Sequence, residues 1–155
     1  KNIYRQPYAK GPYPGPDYMI PFGKARTARE GNDVSVITWG ATVNRAMQAA
    51  QKLEAEGISV EVVDLRTLLP FDREAIAATV RKTARALVLH EDVLTGGFGG
   101  EIAAVIAQEH FESLDAPVRR IGAADTPVGY APVLEDAILP QVDRITSAIR
   151  DLAQY

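Results

Sequence analysis

His90-Glu91-Asp92 is the most chemically loaded tripeptide in the chain: an imidazole that titrates near neutrality, followed by two carboxylates able to tune it. Such a cluster can move a proton. Yet no recognisable nucleophile or second base accompanies it, and the sequence holds no G-x-S-x-G elbow. A structural or interface histidine is therefore the favoured reading. Asp64 and Arg66 form a second candidate, as a charged pair, an anion clamp, or a tie between a strand end and the loop before Pro70; the tie is favoured. The run Gly96-Gly97-Phe98-Gly99-Gly100 leads into a helix, where bare backbone and a helix N-terminus can attract an anion. It matches neither G-x-G-x-x-G nor a P-loop, and Glu101 opposes a phosphate there, so a tight, closely packed loop is the plainer expectation. His110 sits near a helix C-terminus and reads as structural. Two distant histidines and no cysteine make no metal site, no disulfide and no thiolate nucleophile.

These residues need strands and helices to position them. Val34 to Thr38 is β-branched and lies between Gly31 and Gly40, which predicts a strand. Thr42 is expected to cap the following helix, whose apolar positions are Val43, Ala46, Met47, Ala50 and Leu53, with Gly57 ending it. Ser59–Val63 is a second strand, and Asp72 caps a second helix that ends on Arg81 and Lys82. Ala86–Leu89 is a third strand, about Glu101 to Phe111 a buried helix, and Val118–Ile121 a fourth strand. After a Pro-rich crossing, a last helix carries Val142, Ile145, Ile149 and Leu152 on one side. Strands alternating with helices imply crossover units, a largely parallel sheet and helices on both faces. A short fifth strand is expected near Met19–Lys24. The carboxyl ends of the strands, where ligands gather in open α/β sheets, are Thr38-Trp39-Gly40, Asp64-Leu65-Arg66, His90-Glu91-Asp92 and Gly122–Asp125.

At 155 residues the chain is long enough for one domain with a true core, and it reads as an arm, residues 1–31, followed by an α/β domain, residues 32–155. Five of the ten prolines and four of the six tyrosines fall within residues 1–23, so this stretch is extended, with its rings expected to lie on a surface. Residues 1–31 carry six Lys/Arg against Asp17 and Glu30; the remainder carries eleven against eighteen acidic residues. An acidic body without a basic stripe argues against nucleic acid. No apolar run is long enough to cross a bilayer, and the first residues, polar and prolyl, do not form a signal peptide. The bacterial cytoplasm is the expected compartment, with the mitochondrial matrix as the alternative.

The order of segments resembles a known family. Val63-Asp64-Leu65-Arg66-Thr67-Leu68-Leu69-Pro70-Phe71-Asp72 is similar to the V-D-L-R-T-x-x-P-x-D stretch of 2-oxoacid dehydrogenase beta chains. His90 through Ile102 resembles their glycine-rich loop and helix, and the H-E-x-x-L-T-G-G-F form leans toward the branched-chain, 2-oxoisovalerate type. Asp115-Ala116-Pro117, Asp125-Thr126-Pro127 and Leu134-Glu135 to Leu139-Pro140 resemble further landmarks, and Tyr4-Arg5 with Tyr18-Met19-Ile20-Pro21 resembles the linker from a preceding domain.

The resemblance implies a transketolase C-terminal-like, three-layer α/β/α domain with a mostly parallel five-stranded sheet and one antiparallel strand. It implies an enzyme that decarboxylates a branched-chain 2-oxoacid on thiamine diphosphate and Mg²⁺ and acylates the lipoyl group of a second component. In that family the diphosphate and metal are held by the alpha chain, and the aminopyrimidine by the N-terminal part of the beta chain. This stretch is therefore expected to bind neither, to hold no catalytic residue and to be inert alone. The implied partners are an alpha chain or alpha region, a second beta chain and the lipoyl acyltransferase component. His90 is then expected near the mouth of the active site or a subunit interface, and the carboxylate of Tyr155 is expected to help dock a basic partner domain. Two alternatives stand beside this: the same domain from a pyruvate or acetoin dehydrogenase or a fused alpha–beta chain, and a non-catalytic assembly or anion-binding module.

Overall fold

The computed structural model describes residues 3–155; Lys1 and Asn2, at the start of the expected arm, lie outside them. Among the described residues five strands form one sheet: β1 (Arg26–Arg29), β2 (Val34–Thr38), β3 (Val60–Asp64), β4 (Ala86–Val93) and β5 (Arg119–Ala123). Their spatial order is β1-β3-β2-β4-β5, parallel throughout except that β1 runs antiparallel to β3. The fifth strand thus lies at Arg26–Arg29 rather than near Met19–Lys24, inside the stretch read as an arm. Its four residues contain Thr27 but no apolar run, so β-periodicity could not single it out. Both edge strands carry arginines, Arg26 and Arg29 on β1, Arg119 and Arg120 on β5, which discourages further strand pairing.

Helices α1 (Thr42–Glu54), α2 (Arg73–Thr83), α3 (Gly99–Glu109), α4 (Pro132–Ile138) and α5 (Val142–Ala153) complete the fold. Alternate residues of each strand face opposite layers. Val34, Val36, Val62, Leu87 and Leu89 meet Ala46, Ala50 and Leu53 of α1 and Ile145, Ile149 and Leu152 of α5. Ile37, Val63, Leu65 and Val88 meet Ile76 and Val80 of α2 and Ile102 and Ile106 of α3. Each fully buried Leu or Ile contributes about 1.5–3 kcal/mol, so the two clusters together hold the three layers. β2 is buried at every position because both faces are covered.

Local signals settle the helix ends. Asp72 accepts from the Ala75 amide through Oδ1, capping α2 as expected, and its Oδ2 accepts from Ala25 N, tying the arm to the start of α2. Thr42 does not cap α1: it is the first helical residue, its hydroxyl donating to the Trp39 carbonyl and lying 2.8 Å from Thr38 Oγ1. Gly57, at φ +80°, ends α1 in the left-handed turn that returns the Ile58 and Gly57 amides to the Leu53 and Glu54 carbonyls. Between β5 and α5 the Pro-rich crossing contains α4, whose Pro132 starts the helix where its missing N–H costs nothing. The arm holds two single turns of 3₁₀ helix, Ile3–Arg5 and Pro7–Ala9. Among the described arm rings, Tyr13 is 79% exposed and Tyr18 55%, while Tyr8, 51% exposed, borders a cavity with Arg26, Asp64 and Met47.

Candidate functional site

β2–α1–β3 crosses to one side of the sheet and β3–α2–β4 returns to the other, so the topological switch lies between β2 and β4. That crevice is where an open α/β sheet ordinarily takes a ligand. Here the chain's own side chains fill it. His90 does not sit at a strand end, because β4 continues to Val93; its side chain is completely buried. Trp39, just after β2, stacks on the imidazole with centroids 5.6 Å apart and planes 3° from parallel. Phe98 meets Trp39 edge-on at 6.3 Å, Phe71 meets Phe98 at 6.1 Å, and the Arg73 guanidinium lies 5.1 Å over the Phe71 ring. A continuous aromatic row therefore runs from the imidazole outward to Arg73.

Two backbone segments, Gly97–Gly99 and Gly122 on β5, close around the ring. A Cβ on Gly97, Gly99 or Gly122 would come within 3.0 Å of His90 atoms, so glycine at each is a packing requirement. The expected tight loop at Gly96–Gly100 is what the structure shows: Gly97 and Gly99 face the imidazole, Gly96 has open space around it and Gly100 faces Arg120. Neither Nδ1 nor Nε2 of His90 has a hydrogen-bond partner. Burial pushes the imidazole pKa below its ordinary value; the Asp92 charge and backbone pull it up, and Arg120 pushes it down.

The neighbouring carboxylates are not brought to the imidazole. Glu91 and Asp92 are exposed, and Asp92 accepts from the Val93 amide. Glu91 and Asp92 border a cavity of about 130 Å³ beneath α4, with Thr126, Glu135 and Leu139. Asp125 accepts from both the amide and hydroxyl of Thr95, which hold its carboxyl below the usual range. Arg120 donates to the Leu94 carbonyl. These contacts clamp the near end of the glycine-rich loop.

Asp64 and Arg66 meet differently from a simple ion pair. Asp64 Oδ1 accepts from the Arg66 backbone amide, while Oδ2 lies 3.5 Å from Arg26 Nη2. The Asp64 bond holds Arg66 at φ +59°, a left-handed conformation uncommon for a long side chain. Both arginines and Asp64 line an open cavity of about 720 Å³ with Tyr8, Ile20 and Met47. Arg26, the actual partner of Asp64, was not evident beforehand because it lies 38 positions away on the strand with no apolar signature.

A second buried charge also escaped the sequence reading. Glu61 of β3 is 3% exposed and accepts from Thr79 Oγ1 at 2.5 Å, Lys82 Nζ and the Gly31 amide. A lone glutamate between Val60 and Val62, facing Thr79 and Lys82 spaced three apart on α2, was the available signal. His110 ends α3 with its amide donating to Ile106 O. Tyr155 is 61% exposed, past the end of α5. Among the described residues no group of three or more His, Asp or Glu could hold a metal ion, and no helix is long and apolar enough to cross a membrane.

Large apolar side chains remain uncovered. Met19, Phe22 and Leu69 are 84%, 84% and 88% exposed, and Tyr130 and Val133 on the α4 side are 99% and 78% exposed.

Residues 23–145 match the family model described as Transketolase, C-terminal domain. The chain is 43% identical over its whole length to the 2-oxoisovalerate dehydrogenase subunit beta of Bacillus subtilis (strain 168), covering 47% of that protein. It is 46% identical over 131 residues, 84% of the chain, to a mitochondrial pyruvate dehydrogenase E1 component subunit beta-1 of Arabidopsis thaliana, covering 36% of it. Among solved structures, an inactive beta4 tetramer of a split-gene transketolase superposes with a TM-score of 0.79 at 29% identity, over 90% of this chain and 45% of that one. The chain thus spans about half the length, or less, of the curated relatives it matches. The sheet order, the antiparallel β1 and the sequence match agree: the chain belongs to the transketolase C-terminal domain family.

Proposed function

We propose that the chain is the C-terminal assembly and partner-docking domain of a thiamine-diphosphate-dependent 2-oxoacid dehydrogenase beta chain. In this reading the whole enzyme oxidatively decarboxylates a branched-chain 2-oxoacid and passes the acyl group to lipoyl. The observation that carries the assembly role is the set of uncovered side chains Met19, Phe22, Leu69, Tyr130 and Val133 on a domain whose strand-end crevice is already filled. Exposed apolar patches of this kind mark protein contacts. The branched-chain assignment rests on full-length similarity to the 2-oxoisovalerate relative; the pyruvate relative matches at comparable identity over a shorter stretch.

The residues described do not fit thiamine diphosphate or Mg²⁺. The one glycine-rich loop before a helix packs onto His90, Glu101 stands in its first turn, and no acidic cluster is available for the metal. We therefore place both cofactors in parts of the enzyme outside these residues, and assign no catalytic role to His90. Its complete burial within its own chain supports that reading. The partners in this reading are an alpha chain or region, a second beta chain and the lipoyl acyltransferase component, in the bacterial cytoplasm or mitochondrial matrix. The exposed end at Tyr155 is the proposed docking point for a basic domain of the acyltransferase.

The test uses the complete enzyme. Phe22→Ser with Leu69→Ser should leave the fold intact and weaken subunit association, read by analytical ultracentrifugation, with 2-oxoisovalerate oxidation falling in step. Unchanged assembly would remove the docking role. Faster turnover of pyruvate than of 2-oxoisovalerate would replace the substrate but keep the role. Extending the chain beyond Tyr155 should weaken binding of the acyltransferase component, and unchanged binding would remove the terminal site.

A further inference from the structure

His90 presents a physical problem that the assembly role does not use. An imidazole whose two nitrogens meet no hydrogen-bond partner is completely buried, where an unmade hydrogen bond carries a desolvation cost. We propose that His90 is a proton-operated latch: neutral, its ring fills the crevice under the Gly97–Gly99 backbone, and on gaining a proton it leaves the crevice and releases that loop.

The geometry selects the part that moves. Trp39 covers one face of the ring, and Gly122, on β5, closes another side from within the sheet. Gly97 and Gly99, at the junction of a loop and the first turn of α3, close a further side. The loop's near end is held by the Thr95–Asp125 and Arg120–Leu94 contacts, so release is confined to the stretch beyond Thr95. Gly96, at φ +78° with open space around it, supplies the hinge.

The charges around the ring do not provide a ready partner for an imidazolium. Asp92 on β4 favours the cation, whereas Arg120 on β5 opposes it. Arg144 of α5 donates to the Gly122 carbonyl, placing a second guanidinium behind that wall. Glu91 on β4 and Glu101 on α3 are exposed. Trp39 brings no charge. A protonated ring would hold two N–H donors and a positive charge between glycine backbone and an aromatic face, with only Asp92 favouring it. The same loop borders a groove of about 570 Å³ with Leu69, Phe71 and Phe98, so its release changes a surface carrying one of the exposed apolar side chains.

The direction with pH follows from linkage. Because the closed state holds His90 below its ordinary value, the closed state binds fewer protons than the open one. Closure is fully favoured above about pH 6.5, the ordinary imidazole value, and is lost as pH falls from there toward the depressed value. Across that window the opening constant should rise about tenfold per pH unit.

Trp39 is the only tryptophan in the chain, so its fluorescence reads the stack directly. In a titration of the chain from about pH 8 to 4, bracketing the ordinary imidazole value, the expected result is a Trp39 transition below that value. In parallel, the Gly97 and Gly99 amides should lose hydrogen-exchange protection, corrected for intrinsic exchange, while Leu87 in β4 stays protected. His90→Gln and His90→Leu should lack the transition. Should either variant fail to fold, the wild-type His90 imidazole Cε1 resonance serves instead: His90 must titrate below the ordinary imidazole value of about 6.5 and together with the loop amides. A Trp39 transition that persists without His90, loss of Leu87 protection at the same pH, or a His90 titration that leaves the loop amides unmoved would overturn the proposal.

Discussion

Replacing Gly99 with alanine separates packing from helix propensity at one position. Gly99 opens α3, where alanine should gain at most about 0.5–1 kcal/mol over glycine. Against that gain, the new methyl would fall within 3.0 Å of His90 Cδ2 and Nε2. The imidazole cannot swing aside, because Trp39 stacks on it and Gly122 backs its Cε1 edge. Forcing one extra carbon into such a site costs about 1–3 kcal/mol, so the clash wins and a net loss of roughly 1–2 kcal/mol is expected. For a domain of this size that lowers Tm by about 2–8 °C, at some 2–4 °C per kcal/mol. Gly100→Ala is the control: its nearest neighbour would be Arg120 Nη1 at 3.3 Å, the far end of a flexible side chain. It should be neutral or stabilising by about 0.5 kcal/mol. Urea denaturation followed by circular dichroism measures both, and the Gly99→Ala penalty should shrink in a His90→Ala background, where the two sites couple. If Gly99→Ala were as stable as Gly100→Ala, the glycine cradle would not be a packing requirement and the latch would lose its footing.

Other substitutions probe the scaffold. Lys82→Ala removes the cation beside buried Glu61 and should lower the urea denaturation midpoint, with Lys82→Arg losing less. Asp72→Ala removes both the α2 cap and the tether to Ala25, so about 1–2 kcal/mol should be lost, and Asp72→Asn should recover part of it. Ala84→Gly should stabilise the chain by up to about 1 kcal/mol, since Ala84 stands at φ +56° and glycine relieves that strain; a loss of stability would show that the left-handed turn is not strained.

Much of this architecture was legible because long-period signals repeat: the valine-rich strands, the spacing along α1 and α5, and the Asp72 cap each depend on residues close in sequence. What was not legible depends on distant partners. β1 has no hydrophobic pattern of its own and becomes a strand only because β3 offers it an edge. His90 read as a strand-end group near an interface or the active-site mouth, yet β4 runs on to Val93, Glu91 and Asp92 are exposed, and glycines on two other segments close on the ring. Asp64 and Arg66 read as a charged pair, an anion clamp or, by preference, a strand-end tie; Asp64 bonds the Arg66 amide, and its cation is Arg26 across the β1–β3 ladder. Glu61 was hidden in an apolar strand, and its hydroxyl and ammonium partners lie on α2. Short local patterns specify elements; the chemistry of a site is decided by which elements the sheet order brings together.

The central claim is that this domain assembles a 2-oxoacid dehydrogenase whose cofactor chemistry lies in other parts. The direct measurement is reductive acylation of a lipoyl domain by 2-oxoisovalerate with thiamine diphosphate and Mg²⁺, using the chain alone and the complete beta chain together with its alpha chain. The account predicts no cofactor-dependent turnover from the chain alone and turnover from the complete assembly. Thiamine-diphosphate-dependent decarboxylation by the chain alone would contradict it.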